Sequence, residues 1–457
     1  MNEPAPKQVA ETHDQLTLKL VERTQSIEAD ALPPDVREIA RQCVLDWVGV
    51  TLGGSGDHLT HILLDEAVSE GGKPEATVVG HAARVTASQA ALINGSSSHV
   101  LDYDDVNLSL NGHPSAAILP ALLPLAESLR AGGKELVAAF VAGYEIACRA
   151  GLLVAPGHYA RGYHATCTVG SLGAAAACAR LLKLDPERAA HAIGIAATQA
   201  GGLKSMFGTE CKPFHAGMAA HIGLRAARLA AAGMIGRPDA LECRQGFAST
   251  MSPDFNPQAA LADPERFYLR NNLFKYHASC YGTHASIECV RQLREANAIR
   301  PEDVARVKLR VEKGSDAVCN IANPRTALEA KFSLRFMAAA ALTGADTSDL
   351  AFFKDATTTD AALCALRDKV SVELVSDWPM MQAEVVIETN DNHVLRVTHD
   401  AGVPGNDIEL QGRRLVAKFE RLAKPVLGDE RCAKLLHLLE RLEQTPVADL
   451  MAACGKA

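Results

Sequence analysis

The sequence predicts a mainly α fold with an α+β part: a large all-helical domain, residues 1-270 together with 405-457, and a smaller α+β lid domain, residues 271-404. Three observations predict it. Apolar residues recur at helical spacing from about residue 14 to residue 270. The character changes after about residue 270, where period-two patterns enter. After the punctuating "GVPGND", helical patterns return from 408 to 453, and the simplest topology sends these last helices back to the first domain.

The helical elements follow in order. "LPPDVREIARQCVLDWVGVTLGG" opens on prolines and stops at Gly-Gly. A short strand, "EATVVG", interrupts near residue 78. "ASQAALINGSSSHVLDYDD", "PSAAILPALLPLAESLRAGG", "KELVAAFVAGYEIACRAG" and "TVGSLGAAAACARLLKL" continue the run. "DPERAAHAIGIAATQAG" has an Asp-Pro cap, and "PFHAGMAAHIGLRAARLAAAGM" is expected to start at Pro213 and end at Gly233. In the second module "ARVKLRVEKG" and "DKVSVELV" alternate as strands, and "QAEVVIETNDNHVLRVTH" reads as a hairpin turning at Asn390–Asn392. Helices are expected at 282–297 and 325–342.

Composition bounds the function. With 457 residues the chain is long enough for more than one domain, and 48% hydrophobic with 22% charged residues is a globular profile. A formal net charge of −8 argues against nucleic acid as a partner. The start, "MNEPAPKQVAETHDQ", lacks the basic-then-apolar pattern of a secretory leader. "LVAAFVAGYEIACRAG" is broken by Glu145 and reads as too short to span a bilayer, so no membrane partner is expected. Twelve cysteines without a C-x-x-C pair read as reduced thiols in a cytoplasmic protein.

Three residues share one local arrangement. His113 precedes Pro114, Lys212 precedes Pro213, and His164 stands just before a small-residue helix. A residue before proline is driven out of the α region, and proline favours the first helical position. If these helix starts converge they make a carboxylate or phosphate site; the alternative is three unrelated helix starts with polar lead-ins. Asp102, Asp104 and Asp105 cluster shortly before His113, and a carboxylate beside an imidazole suits a general base. Asp102 is taken as the inward one because it ends an apolar stretch; the alternative is a solvated acidic loop. In "NLFKYHASCYGTHASIECVRQL", Lys275, His277, Cys280 and His284 crowd a helix start. Cys280 reads as a packing thiol near a site rather than a nucleophile. His215, in the next helix, reads as a supporting residue. No third ligand at a recognisable spacing accompanies His277 and His284, and His58 with His61 fit a helix surface, so no metal is expected. The Gly-rich turns at 53–56 and 200–208 lack the strand–turn–helix setting of a phosphate loop, so no nucleotide cofactor is expected either.

Taken together, "LDYDDVNLSLNGHPSAAILPALLPLAE", "GYHATCTVGSLGAAA", "GTECKPFHAGMAAHIGLRAARLAAAG", "KYHASCYGTHASIE" and "AKFSLRFMAAAAL" resemble the MmgE/PrpD family, which includes 2-methylcitrate dehydratase and cis-aconitate decarboxylase. The likeness runs from about 30 to 450 in the family's order. It implies a helical domain with an α+β lid, a site between them, a homodimer, no cofactor, and active-site positions at Asp102, His113, His164, Lys212 and Lys275. Cys280 stands where the decarboxylase pattern has histidine, Phe336 where it has tyrosine, and Val106 where a hydroxyl residue is expected. The chemistry implied is that of a lyase on a small di- or tricarboxylate, foremost dehydration of a 2-methylcitrate-like hydroxy acid. His113 and His164 would share the acid and base roles. Lys212 and Lys275, with Cys280 and His215 near them, would hold carboxylates, and Asp102 would orient His113 or a substrate hydroxyl. Epimerisation next to a carboxylate, cis-aconitate-type decarboxylation and a non-catalytic binding protein are the alternatives.

Overall fold

A computed structural model describes residues 15–263 and 265–456. The stretch read above for a leader lies mostly outside the described residues. The amino-terminal helices stop and start where the caps dictate. Pro34 occupies the first turn of Pro34–Gly54. Thr86 and Gln89 form a capping box on Ala87–His99, and the Asp185 carboxylate accepts from Arg188 N ahead of Pro186–Ala197. "EATVVG" yields only Ala76–Thr77, paired antiparallel with Arg84–Val85.

Small residues set how closely the helices pack. Ala87–His99 crosses Cys211–Ala231 at Gly95 and Gly217, where a Cβ on Gly95 would lie 2.7 Å from Gly217 Cα. A Cβ on Gly217 would overlap Leu92 O and the Ser96 hydroxyl. Helix Gly133–Val154 runs 22 residues, longer than its sequence suggested and long and apolar enough to cross a membrane, yet 94% of its apolar window is buried inside the protein. Glu145, which breaks that window, is itself buried, 3.7 Å from Arg149, whose guanidinium donates to Ala260 O and Ala262 O. Helices Ile408–Leu427, Asp429–Glu440 and Val447–Cys454 close back onto this helical core, with Leu415, Phe419, Leu435 and Leu450 buried in it.

The second module has its own core. Four strands lie in the order Val370–Val375, Val304–Glu312, Gln382–Thr389, Val394–Asp400; the first pair is parallel and the others antiparallel. Val307, Leu309 and Val311 all point to one buried face, with Ala383, Val385 and Ile387 alongside. Helices His284–Asn297 and Leu334–Thr343 supply the other half of that core. The helix expected over 325–342 is in fact two: Ala327–Ala330 ends, and Ser333 caps a new start by accepting from Phe336 N. That break turns Lys331 inward.

Candidate functional site

The two modules meet over a cavity of about 320 Å³. Asp102, His113, His164, Lys212, Lys275 and Cys280 all line it. The segment between helices Ala87–His99 and Pro114–Leu129 brings most of the chemistry. Asp102 takes a left-handed backbone (φ 51°), tolerable for Asp, and its N–H donates to His99 O. Val106 pairs with Leu273 through two backbone hydrogen bonds of 2.9 and 2.8 Å, which registers this segment against Lys275.

Asp102 faces lysines, not His113. Its Oδ1 lies 2.5 Å from Lys212 Nζ and 3.3 Å from Lys275 Nζ, and Lys275 also donates to Asp102 O at 2.7 Å. Burial opposes ionisation of Asp102, but the two ammonium groups outweigh it and hold the carboxyl well below its usual range. Lys212 feels the reverse: burial pulls its pKa down, but Asp102 outweighs burial and the net shift is upward. The expected role of Asp102 beside His113 therefore falls to Asp104. Asp104 lies 2.9 Å from His113 Nδ1 through one oxygen and 2.9 Å from His99 Nδ1 through the other. Burial works against the Asp104 charge, but the two imidazoles outweigh it and hold it low. Burial also lowers His99 to about 4, so His99 is a neutral ring donating Nδ1–H to Asp104. Asp105 turns away, accepting from the Ser115 hydroxyl at 2.5 Å, and burial lifts it to about 7. All three aspartates are thus buried, with exposures of 4, 1 and 1%, against the solvated-loop alternative.

His113 and His164 are the N-cap residues of Pro114–Leu129 and Ala165–Leu181, as their positions predict. Lys212 is not outside its helix. Cys211–Ala231 begins before Pro213, so Lys212 lies in the first turn and points back to Asp102. A buried Asp on the ammonium offsets the unfavourable placement of a cation at a helix start. His164 Nδ1 is 3.1 Å from His215 Nδ1, so one ring donates and the other accepts. Burial, with His99 and Lys212 nearby, holds His164 well below its usual value and keeps it neutral. Cys280 and Cys319 both line the cavity, and a hydrogen bond from Cys319, stronger than the opposing burial, lowers the Cys280 thiol.

Other candidates go elsewhere. His277 spends both ring nitrogens, on Thr347 Oγ1 at 2.7 Å and Glu288 Oε1 at 3.0 Å, and does not line this cavity. His58 pairs with Glu210 on the surface. Phe336 is packed in the second core, 1% exposed, so the decarboxylase tyrosine position does not reach this cavity. His99, Asp104 and His113 offer ligand atoms within 4.8 Å of one another; His99 Nδ1 is hydrogen-bonded to Asp104, and His113 Nδ1 lies at ion-pair distance from it. Sequence reasoning missed His99, Tyr159, Lys204 and Lys331. Only His99 left a signal, a lone polar ring five residues before Asp104 at the end of an otherwise small-residue helix.

A helical domain and an α+β module enclosing lysines, imidazoles and a buried carboxylate define a protein built to hold a small polyanion beside acid–base groups. The chain belongs to the MmgE/PrpD family: residues 19–260 match the MmgE/PrpD N-terminal domain and 277–444 the MmgE/PrpD C-terminal domain. It is similar to a cis-aconitate decarboxylase-like protein, oryM, of Aspergillus oryzae, 26% identical over 96% of each chain. It is also 27% identical to the cis-aconitate decarboxylase of Homo sapiens, over 88% of this chain and 87% of that one. The Aspergillus terreus cis-aconitate decarboxylase is 24% identical over 95% of this chain and 96% of its own.

Proposed function

We propose that the protein is a lyase for a small di- or tricarboxylate, and that it dehydrates a 2-methylcitrate-like hydroxy acid. The observation that carries this reading is a pair of imidazoles, His113 and His164, lining one cavity with Lys212 and Lys275, each imidazole backed by its own partner. Dehydration needs two proton-handling groups. His164, neutral, takes the proton α to a carboxylate. The electron pair left on carbon spreads into that carboxylate as an aci-form, which Lys212 and Lys275 stabilise together with the N-terminus of Cys211–Ala231. The pair then forms the double bond as the β C–O bond breaks. His113 gives its proton to the departing oxygen, and Asp104 balances the charge on that ring while it is protonated.

Decarboxylation of a cis-aconitate-like acid is the second reading, and the names of the relatives favour it. There, loss of CO2 leaves the electron pair on carbon, and a single proton donor completes the reaction. Val106 and Cys280 line the cavity where the decarboxylase pattern differs, which counts against decarboxylation.

The two readings separate on a panel of hydroxy- and unsaturated di- and tricarboxylates incubated in heavy water, with products read by mass spectrometry. Dehydration predicts water loss and an alkene from the hydroxy acid. His113→Gln should still exchange the α-proton while losing elimination by about 10²–10⁴-fold, and His164→Gln should lose both. CO2 release from the unsaturated acid without water loss from any hydroxy acid would replace the first reading by the second. No reaction and no exchange across the panel would sink both.

A further inference from the structure

Lys204 is an ammonium group that neither reading uses. It lines the same cavity as Lys212 and Lys275 but comes from a different segment, the short turn Lys204–Met206. Its backbone is fixed: Lys204 N donates to Gly162 O at 2.8 Å, next to the Tyr163–Leu203 bridge. Its Nζ is also placed, 3.6 Å from the centre of the Tyr159 ring and 3.2 Å from Tyr159 O. Among the described residues it has no carboxylate partner, whereas Lys212 and Lys275 share Asp102. Burial pulls its pKa down, the cost of a half-buried ammonium held without an acid. A carboxylate arriving from solvent would offset that cost.

The cavity's charges count the same way. Three lysines line it against two carboxylates, Asp102 and Glu312. Asp102 is committed to two of the lysines. Glu312, at the end of strand Val304–Glu312, accepts from Gly314 N at 2.6 Å and, among the described residues, is the carboxylate lining the cavity that has no ion pair.

We infer that Lys204, set on the face of Tyr159, binds a second carboxylate of the substrate, remote from the one held by Lys212 and Lys275, and so selects tricarboxylates over dicarboxylates. The inference rests on the carboxylate-lyase reading and narrows its substrate class. A charged hydrogen bond of this kind in a partly dry cavity is worth roughly 1.5–3 kcal/mol, about ten- to 150-fold in affinity.

The test is binding rather than turnover. Titration calorimetry would compare tricarballylate with glutarate and 2-methylsuccinate, each lacking one of its carboxylates, on wild type, Lys204→Gln and Glu312→Gln. Wild type should bind tricarballylate at least tenfold tighter than one of the two dicarboxylates. Lys204→Gln should erase that advantage while leaving the weaker dicarboxylate within about twofold of its wild-type affinity. Glu312→Gln should leave tricarballylate binding intact or tighten it. An advantage that survives in Lys204→Gln, or is lost equally in Glu312→Gln, overturns the inference alone; the latter would make Lys204 and Glu312 a latch between the modules. Failure of all three acids to bind wild type overturns the carboxylate-lyase reading, and the inference with it.

Discussion

At the scale of single residues, the site turns on which aspartate does what. Asp102 neutralises two lysines, Asp104 orients two imidazoles, and Asp105 is a buried acid on Ser115. Asp104 does not line the cavity, so it acts through His113 as a positioning residue. Asp104→Asn would keep an acceptor for one ring and put an amide donor against the other, and it would remove the negative charge. It should cut kcat by about 100-fold or more with little change in KM, since no substrate contact is lost. Asp102→Asn should instead raise KM, by leaving the lysine pair misplaced. Steady-state kinetics on the two variants checks the split, and equal KM effects would argue against it. The sequence made the acidic cluster and its histidine visible, because residue types at a helix start carry chemistry on their face. It could not assign the roles. Three aspartates within four positions differ only by backbone direction, and the left-handed turn at Asp102 that sends each side chain its own way has no signature in residue type.

Helices were the most legible elements, since 3.6-residue periodicity and proline or Asp caps are local signals. Their crossings were not, yet a crossing assembles the site. Gly95 and Gly217 let Ala87–His99 and Cys211–Ala231 touch backbone to backbone, and the same two helices lead into Asp102 and out of Lys212. Gly217→Ala has no room: the new methyl meets Leu92 O and the Ser96 hydroxyl, so the helices must part. Overpacking of this kind costs typically about 1–3 kcal/mol. The expected outcome is a lower denaturation midpoint together with a weaker carboxylate affinity, because the shift opens the Lys212–Asp102 contact. A surface glycine control, Gly56→Ala, meets nothing within 4 Å and should change neither. If Gly217→Ala lost stability but kept full affinity, the crossing would not be what sets the site.

Across the whole molecule, three buried lysines grip three successive carbonyls of the segment that carries the aspartates. Lys331 donates to Leu101 O at 2.9 Å, Lys275 to Asp102 O at 2.7 Å and Lys418 to Tyr103 O at 2.7 Å. Lys331 comes from the α+β module and Lys418 from helix Ile408–Leu427, which packs in the helical core, so the segment is held from both sides. Nothing in the sequence marks Lys331, which falls in a stretch that reads as continuous helix; the grip is a product of tertiary structure.

This arrangement favours function over stability, and pH can show it. Burial lowers Lys331 from 10.5 to about 8. A lysine with a depressed folded pKa binds its proton more weakly in the folded than in the unfolded chain. The unfolded state then holds more protons between about pH 8 and 10.5, and stability from this group rises with pH across that window. Below about pH 8 the charge is a standing cost, which Lys331→Met removes. Against that gain stands the buried Leu101 carbonyl left without its donor, so the variant should lie close to wild type in stability at pH 7. Its stability relative to wild type should fall as pH climbs from about 8 to 10.5. Turnover should fall about tenfold or more at pH 7, because Leu101 O loses its donor and the Asp102–Asp104 segment loses its tie to the α+β module. Denaturant melts of both proteins at pH 7 and pH 10, with kinetics at pH 7, check both halves. A variant less stable than wild type at pH 7 by the same margin at pH 10 would show that Lys331 is an ordinary structural contact.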